Sequence, residues 1–276
     1  MTVSATEKRV AFRKLHEAGC FVIPNPWDLG SARLLQSLGF KALASTSAGF
    51  AWSTGRPDYG LACDEVVGHL AQLCAGTDLP LNADFENGFA DAPQAVAANV
   101  TKALHAGVAG LSIENRSGNS GQPLYDDARA AERIAAARAA IDGIDRNAIL
   151  VARCEGFLVG EADLSATIRR LIAFAEAGAD CLYAPGLTTK QQISEVVRAV
   201  APKPVNVLVG SALGFSVAEL AELGVRRVSV GGALARAAWG GFMRAAKEIA
   251  SHGTFTEFAN GYPGGELQKT LGRPRF

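Results

Sequence analysis

Acidic side chains and one arginine end three successive apolar segments of this 276-residue sequence. Asp84 and Glu86 end the segment LNADFE, Glu114 ends GLSIE, and Arg153 and Glu155 end ILVARCE. Because residues two apart in a strand lie on one face, each pair points the same way. Carboxylates crowded in a partly dry cavity repel one another unless they are protonated, paired or bound to a metal. Oxygen ligands of this kind suit Mg²⁺ or Mn²⁺, so the segments predict a site for a hard divalent cation.

A further acid, Asp58, lies in the loop GRPDYG that follows the second apolar segment. It is a fourth candidate metal ligand beside Asp84, Glu86 and Glu114. The alternative interpretation is an ion network at the rim, in which Asp84 and Glu86 pair with Arg153 and with basic loop residues and bind no ligand. Several carboxylates at neighbouring strand ends favour the metal site over this network, because their mutual repulsion must be offset.

Neutral polar side chains at other strand ends could hold a ligand. Ser45, Thr46 and Ser47 offer hydroxyl and amide groups suited to a carboxylate, although the same hydroxyls could stabilise their own turn. Tyr183 ends CLY and Asn206 lies in PVNVLVG, where each could donate a hydrogen bond to a ligand. Either could equally be a satisfied polar group of the wall.

These residues must be positioned by elements that alternate regularly along the chain. Short runs rich in Val, Ile and Leu are each followed by an amphipathic stretch of helical length, which is the βα pattern. The predicted strands are residues 21–25, 42–47, 81–86, 110–114, 149–155, 181–184, 205–209 and 227–231. The predicted helices are residues 31–38, 64–75, 93–106, 127–141, 163–177, 190–200, 217–223 and 233–251.

Four of these helices end in glycine followed at once by an apolar strand, in LGF, AGV, AGA and LGV. Glycine tolerates the left-handed conformation that closes a helix. Repeated right-handed crossovers leave two layouts, a doubly wound sheet and a closed barrel. Eight near-equal units favour an α/β fold of the (β/α)8 TIM barrel type. We predict one domain over residues 1–276, with an extra N-terminal helix at 1–18 and an irregular C-terminal tail at 252–276.

Composition narrows the classes of partner. Lys+Arg and Asp+Glu both number 27, so no net charge draws in nucleic acid or an anionic membrane. No apolar run reaches the roughly 20 residues of a membrane span, and the charged N-terminus lacks a signal-peptide core. The five cysteines lack C-x-x-C spacing, and the four histidines fall in predicted helices. We therefore expect a cytoplasmic protein with neither a disulfide framework nor a zinc site.

Four motifs together resemble the isocitrate lyase/phosphoenolpyruvate mutase superfamily, over about residues 20–245. ADFENGF is similar to the metal motif D-x-D-x-G-[YF], which implies Asp84 as the direct ligand, with Glu86 in place of the second Asp. LSIEN is similar to L-x-[IL]-E-D and implies Glu114 as a further metal-site acid. VARCEGF is similar to VAR-x-[ED]-A-[FL], which implies Arg153 as a clamp on the substrate or transition state and Glu155 as its partner.

The fourth motif, LASTSAGF with the following GRPDYG, resembles the segment that binds the substrate carboxylate. It implies a nest at Thr46, Ser47 and Ala48 and a water-mediated metal contact at Asp58. The resemblance further implies a small 2-oxo or 2-hydroxy carboxylate substrate, an enolate stabilised by Mg²⁺, and a homotetramer that exchanges terminal helices.

The chain departs from both main branches of the superfamily. The lyase lid K-[KR]-C-G-H corresponds to RSGNSGQPLYDD here, which lacks Cys, His and Lys, and the Lys and Asn of the mutase lid correspond to Ser120 and Gln122. The remaining metal-and-arginine core predicts a lyase that cleaves a C–C bond, for example by decarboxylation of an oxaloacetate-like acid. The alternatives are phosphonopyruvate mutase or hydrolase chemistry at a C–P bond, and a catalytically silent barrel that binds a carboxylate.

Overall fold

The computed structural model describes residues 3–212 and 214–272. The strands are β1 (Phe21–Ile23), β2 (Leu43–Ala44), β3 (Leu81–Asp84), β4 (Gly110–Glu114), β5 (Arg116–Asn119), β6 (Gln122–Leu124), β7 (Ile149–Arg153), β8 (Cys181–Tyr183), β9 (Val205–Leu208) and β10 (Arg227–Ser229). Eight of them are parallel and lie in the order β1-β10-β9-β8-β7-β4-β3-β2, which makes a nearly closed barrel. The predicted (β/α)8 TIM barrel is confirmed. An antiparallel hairpin of β5 and β6, absent from the prediction, projects after β4.

Helices flank the strands as the alternating pattern predicts. They are α1 (Ala5–Leu15), α2 (Leu29–Ser37), α3 (Ser47–Ser53), α4 (Cys63–Gly76), α5 (Pro93–His105), α6 (Asp127–Asp142), α7 (Leu164–Glu176), α8 (Lys190–Val200), α9 (Val217–Glu222), α10 (Ala233–His252) and α11 (Gly264–Leu271). The predicted second strand, 42–47, is too long, because Ser47 already begins α3. The Thr46 hydroxyl caps this short helix by accepting a hydrogen bond from the Gly49 amide, 3.2 Å away.

Register between neighbouring strands sets polar residues side by side. Glu114 of β4 pairs with Arg153 of β7, Arg153 pairs with Tyr183 of β8, and Tyr183 pairs with Asn206 of β9. Asn206 in turn pairs with Arg227 of β10. The register thus makes neighbours of polar residues that lie far apart in sequence, and because barrel strands are tilted this row does not stay at one height.

The extra N-terminal helix closes the end of the barrel at which the strands begin. Phe12 is fully buried in a cluster of barrel-interior side chains that includes Ile149 and Cys181. Arg9 donates from Nε to the carbonyl of Val108, 3.0 Å away, and Nη1 pairs with Asp145 at 3.3 Å. A second and larger apolar cluster fills the space between strands and outer helices.

The tail differs from the predicted irregular segment at 252–276. Residues Thr256–Asn260 form a 3-10 helix, α11 follows, and residues 273–276 lie outside the described residues. Glu248 of α10 accepts hydrogen bonds from the hydroxyls of Thr254 and Thr256, so the tail folds back onto α10. Among the helices of the described residues, none is long and apolar enough to cross a membrane.

Candidate active site

A cavity of about 220 Å³ opens where the parallel strands end. Its wall includes the predicted residues Ser45, Thr46, Ser47, Ala48, Asp58, Asp84, Arg153, Glu155 and Tyr183. Pockets for drug-sized ligands span roughly 300–1,000 Å³, so this cavity suits a small acid. The other three predicted site residues, Glu86, Glu114 and Asn206, are not among the residues of the wall.

Arg153 is the centre of the charge network. Its Nη1 lies 2.7 Å from Asp84 Oδ1, and its Nη2 lies 3.2 Å from Glu114 Oε2 and 2.9 Å from Glu155 Oε1. The guanidinium carbon also lies 5.0 Å from the centre of the Tyr183 ring, within range of a cation–π contact. The three carboxylates raise the pKa of Arg153 although burial opposes them. The Arg153 guanidinium therefore pairs with three carboxylates, which lie at or just after the ends of three strands.

Tyr59, which the sequence reasoning missed, connects the loop after α3 to this network. Its hydroxyl donates to Glu114 Oε1 at 2.8 Å, and the guanidinium of Arg116 lies 4.3 Å from its ring centre. The backbone of Tyr59 has φ +62°, a left-handed conformation that costs energy for a residue with a side chain. Only its place in GRPDYG, beside Asp58, pointed toward the site.

The hydroxyl cluster after β2 is used mainly by the protein itself. Ser45 Oγ accepts from the Asp84 amide at 2.8 Å, and the Ser47 amide donates to Asp84 Oδ2 at 3.0 Å. Thr46 caps α3 through the Gly49 amide. These bonds fix the Asp84 carboxylate and hold the segment against the cavity, as the alternative interpretation of a self-stabilised turn expects. Its accessible atoms still line the cavity.

Crowding and burial shift the titration of the acids. Burial raises the pKa of Glu86 to about 8, and the charges of Asp84 and Asp58 add to the shift. Burial also raises the pKa of Glu114, against the influence of Arg153. The pKa of Asp58 is raised by burial and by Asp84. Burial and crowding thus both disfavour the charged form of these carboxylates.

The four predicted metal ligands do not form a ready-made cluster. Within residues 3–212 and 214–272, no three His, Cys, Asp or Glu side chains are placed to hold one ion together. The reason is that Asp84 and Glu114 turn toward Arg153. Mg²⁺ typically keeps several waters and takes only one or two carboxylates directly. The donor set fits an ion of that kind, because Asp84 and Asp58 line the cavity and Glu155 Oε2 is buried without a hydrogen-bond partner in the described structure.

A buried arginine holds the loop that carries Glu86. Glu86 has φ +47°, another left-handed conformation. Arg133 of α6 donates to the backbone carbonyls of Asn87 and Asp91, the second at 2.7 Å, and lies 4.1 Å from the ring centre of Tyr125. The clamp fixes the turn after β3 from behind. Sequence periodicity placed Arg133 on a helix and gave no sign of this contact.

Asn206 lies below the cavity rather than in its wall. Its side-chain amide donates to Ser229 Oγ at 2.9 Å, and its oxygen accepts from Arg227 Nε at 2.8 Å. Asn206 is thus a satisfied interior group, as one of the two interpretations held. Arg227 reaches the wall of the cavity itself, and sequence reasoning did not single it out.

One asparagine joins the two strands that complete the barrel. β1 and β2 stand at opposite ends of the strand order and share no ladder. The Ala44 amide donates to the Pro24 carbonyl at 3.1 Å, and Asn25 Nδ2 donates to the Ser45 carbonyl at 2.9 Å. Asn25 Oδ1 also accepts from the Gly231 amide at 2.9 Å. We call this junction the β1–β2 seam.

Comparison with known proteins agrees with this architecture. The sequence profile of the family described as phosphoenolpyruvate phosphomutase matches residues 12–250. The chain belongs to this family. A crystal structure of a "putative lyase/mutase" from Burkholderia cenocepacia J2315 is similar with 49% sequence identity and a TM-score of 0.95, covering 98% of this chain and 97% of that chain. The predicted isocitrate lyase/phosphoenolpyruvate mutase superfamily is confirmed.

Two relatives carry names of activities. "Probable 2-methylisocitrate lyase 2" of Corynebacterium glutamicum is 29% identical over 272 residues, covering 94% of this chain and 86% of the relative. Oxaloacetate decarboxylase of Pseudomonas paraeruginosa is 28% identical over 228 residues, covering 80% of this chain and 78% of the relative. The family therefore includes enzymes that cleave C–C bonds, which is the class predicted from the sequence.

Proposed function

We propose that this protein is a divalent-cation-dependent lyase that cleaves a C–C bond of a small 2-oxo or 2-hydroxy carboxylate. The leading candidate substrate is an oxaloacetate-like acid, which would lose CO₂. The observation that carries the proposal is Arg153, fixed among Asp84, Glu114 and Glu155 at the wall of a cavity sized for such an acid. The named activities of the two relatives support it.

In this proposal Asp84 holds Mg²⁺ or Mn²⁺ directly, Asp58 contacts the ion through water, and Glu86 and Glu114 are the further acids of the metal site. The bound cation supplies positive charge beside the oxygen on which negative charge develops. The segment Thr46, Ser47 and Ala48 binds the substrate carboxylate. Each of these roles follows from the family motif and from the placement of the residues around the cavity.

Arg153 acts as the transition-state clamp and stabilises the negative charge that develops during cleavage. Its fork is held by Glu155, so little reorganisation is needed when the substrate binds. In decarboxylation the bond to the carboxylate breaks, CO₂ leaves, and the electron pair passes toward the 2-oxo group. A proton from solvent then completes the product. No thiol is required for this sequence, which agrees with a hairpin segment that lacks Cys, His and Lys.

The test is turnover of oxaloacetate by the purified protein with Mg²⁺, followed as pyruvate and CO₂. We expect activity in the wild type and its loss in Asp84→Ala. Unchanged turnover in Asp84→Ala would contradict the proposal. A parallel thermal-shift series with oxalate, pyruvate, methylisocitrate and phosphonopyruvate asks which acids bind, because a ligand of the folded state raises apparent stability.

Phosphonopyruvate chemistry is the second candidate, favoured by the phosphoenolpyruvate phosphomutase profile. Release of phosphate or formation of phosphoenolpyruvate from phosphonopyruvate would support it over C–C cleavage. Metal-dependent binding of an acid without any product would instead identify a catalytically silent carboxylate-binding barrel.

We also propose a homotetramer. In α10 the side chains of Trp239, Phe242 and Met243 are 41%, 59% and 44% exposed. Contiguous exposed apolar surface of this kind marks an interface, and a second copy of the chain is the occupant we propose. Sedimentation as a monomer would contradict this.

We place the protein in the cytoplasm because all five cysteines are free thiols. Recovery of the protein from another compartment would overturn that placement.

A further inference from the structure

Arg227 spans the interior of the barrel beneath the cavity. It is the first residue of β10 and only 2% exposed. Its Nε donates to Asn206 Oδ1 on the neighbouring strand β9, and its Nη1 reaches across to Asn82 Oδ1 on β3, 3.2 Å away. β3 stands far from β10 in the strand order, so the guanidinium lies near the barrel axis. Arg227 also lines the cavity, where it forms the floor.

Arg227 differs from two other arginines of the barrel, and Arg133, which also forms no ion pair within the described residues, is held by backbone carbonyls and is absent from the cavity wall. Arg153 is paired with three carboxylates, and Arg9 is paired with Asp145. Arg227 is held by two neutral amides, and no carboxylate in residues 3–212 and 214–272 forms an ion pair with it. The two amide oxygens orient the Arg227 guanidinium but do not neutralise its charge.

A buried charge without a counter-charge is costly. Burial lowers the pKa of the Arg227 guanidinium, which expresses the same cost. The nearby His16 is buried, and burial lowers its pKa to about 3, so it adds no positive charge at neutral pH. Asp84 acts on this guanidinium only through its field, so an anion that enters the cavity and reaches Arg227 would supply a directly paired counter-charge.

We propose that Arg227 is a specificity-determining residue that binds the second carboxylate of the substrate, so that the protein selects a short dicarboxylate over the matching monocarboxylate. The inference rests on the proposed function and extends it. The first carboxylate lies near Ser47, and the second lies at the floor of the same cavity. Ser229, two residues beyond Arg227 on β10, lines the cavity beside it. The small volume limits the spacing between the two carboxylates to a few atoms.

Binding of malate and lactate tests the inference, because malate is lactate with one added carboxylate. Both are stable, so the dissociation constants can be measured by calorimetry in the presence of Mg²⁺. We expect the wild type to bind malate more tightly. In Arg227→Met the malate affinity should fall by about tenfold or more, because a hydrogen-bonded charge contact is lost. Lactate affinity should stay within about twofold.

A second variant keeps the test decisive if Arg227→Met folds poorly. Asn82→Asp places a carboxylate beside Arg227 and should remove the malate preference while the arginine remains. Arg13→Met, at the far end of the barrel, is the matched control and should leave the ratio of malate to lactate affinity unchanged. Equal losses for both acids in Arg227→Met would show a merely structural role. An absent malate preference in the wild type would also overturn the inference.

The outcomes separate this inference from the proposed function. A wild type that prefers malate through Arg227 but cleaves no oxo-acid would overturn the lyase proposal and leave the subsite standing. Cleavage of oxaloacetate by a protein whose malate preference survives in both Arg227→Met and Asn82→Asp would overturn the subsite alone.

Discussion

The two ends of the barrel both bury arginine side chains, but they treat the charge differently. At the closed end, Arg9 is matched by backbone carbonyls and by one acid, Asp145. At the open end, Arg153 stands among three carboxylates, and one of them, Asp84, also faces the buried acid Glu86. The acids of the closed end are thus individually paired, whereas the open end crowds several carboxylates around one arginine.

This difference separates stability from chemistry. Balanced buried charges hold α1 in place and need no ligand. Crowded carboxylates with raised pKa values store unfavourable interactions that a cation or a substrate relieves, and such perturbed groups cluster at functional sites. Left-handed residues occur at the open end as well, at Tyr59 and Glu86. Substitutions at the open end should therefore change the rate, and substitutions at the closed end should change the free energy of unfolding.

The largest effect should come from Arg153→Lys. An ammonium is a point charge and cannot reproduce the fork that contacts Asp84, Glu114 and Glu155. We expect kcat/KM for the cleaved acid to fall by about 10³-fold. The control is Arg56→Lys, which alters an exposed pair with Glu65 and should leave the rate unchanged. Full activity in Arg153→Lys would remove this residue from the mechanism.

At the closed end, Phe12→Ala should act on stability alone. The side chain is fully buried, so its removal leaves a cavity and should lower the free energy of unfolding by about 3–5 kcal/mol. Urea titration measures the change, with Phe255→Ala as the control because Phe255 is 60% exposed. At a temperature where the variant is folded, kcat should match the wild type. A loss below about 1 kcal/mol would show that α1 does not seal the barrel.

His16 should give the closed end a dependence on pH. It is buried, and its pKa in the folded state is lowered from 6.5 to about 3 by burial and by Arg227. The unfolded chain therefore binds a proton that the folded chain does not, as pH falls below 6.5 toward 3. This contribution lowers the free energy of unfolding by up to about 2 kcal/mol between pH 7 and pH 5. In His16→Phe the decrease in the free energy of unfolding between pH 7 and pH 5 should be smaller by that amount. Identical pH profiles of unfolding for the variant and the wild type would contradict the burial of a neutral imidazole.

The smallest effect should come from Tyr59→Phe. The variant removes the hydrogen bond to Glu114 and keeps the ring beneath Arg116. We expect kcat/KM to fall by about tenfold, because one buried hydrogen bond that positions Glu114 is lost. Tyr262→Phe, at an exposed tail position, serves as the control. An unchanged rate would show that Tyr59 stabilises its loop and does not contribute to the reaction.

Most of the fold was predictable because strand and helix periods alternate clearly and glycine marks several helix ends. The short helix α3 was missed because seven residues give too little periodicity, although Thr46 is a recognisable cap. The hairpin β5–β6 was missed because its strands are short, mostly polar and only partly buried, and hydrophobic alternation cannot reveal such strands. The tail was predicted to be irregular because it is rich in Gly and Pro.

The site was predictable where a residue ends a strand, since the rule for parallel barrels places that end at the mouth. Asp84 and Arg153 were found in this way, and the structure brings them together. Arg227 begins its strand, so the same rule assigns it to the closed end. Only the length of its side chain carries the guanidinium up the axis to Asn82, and no sequence period encodes such a contact across the barrel.

The β1–β2 seam is the joint at which neighbouring strands of the barrel can separate most easily. Elsewhere a ladder must be broken before neighbouring strands can separate, but here one backbone hydrogen bond and Asn25 hold the joint. Among the hydrogen-bonded amides of the barrel strands, the Ala44 amide should therefore exchange first. A ligand that touches Ser47 on one side of the joint and Arg227 on the other would fasten it. The occupied barrel should then be the stiffer one, and the slowing of exchange at a single amide would report occupancy.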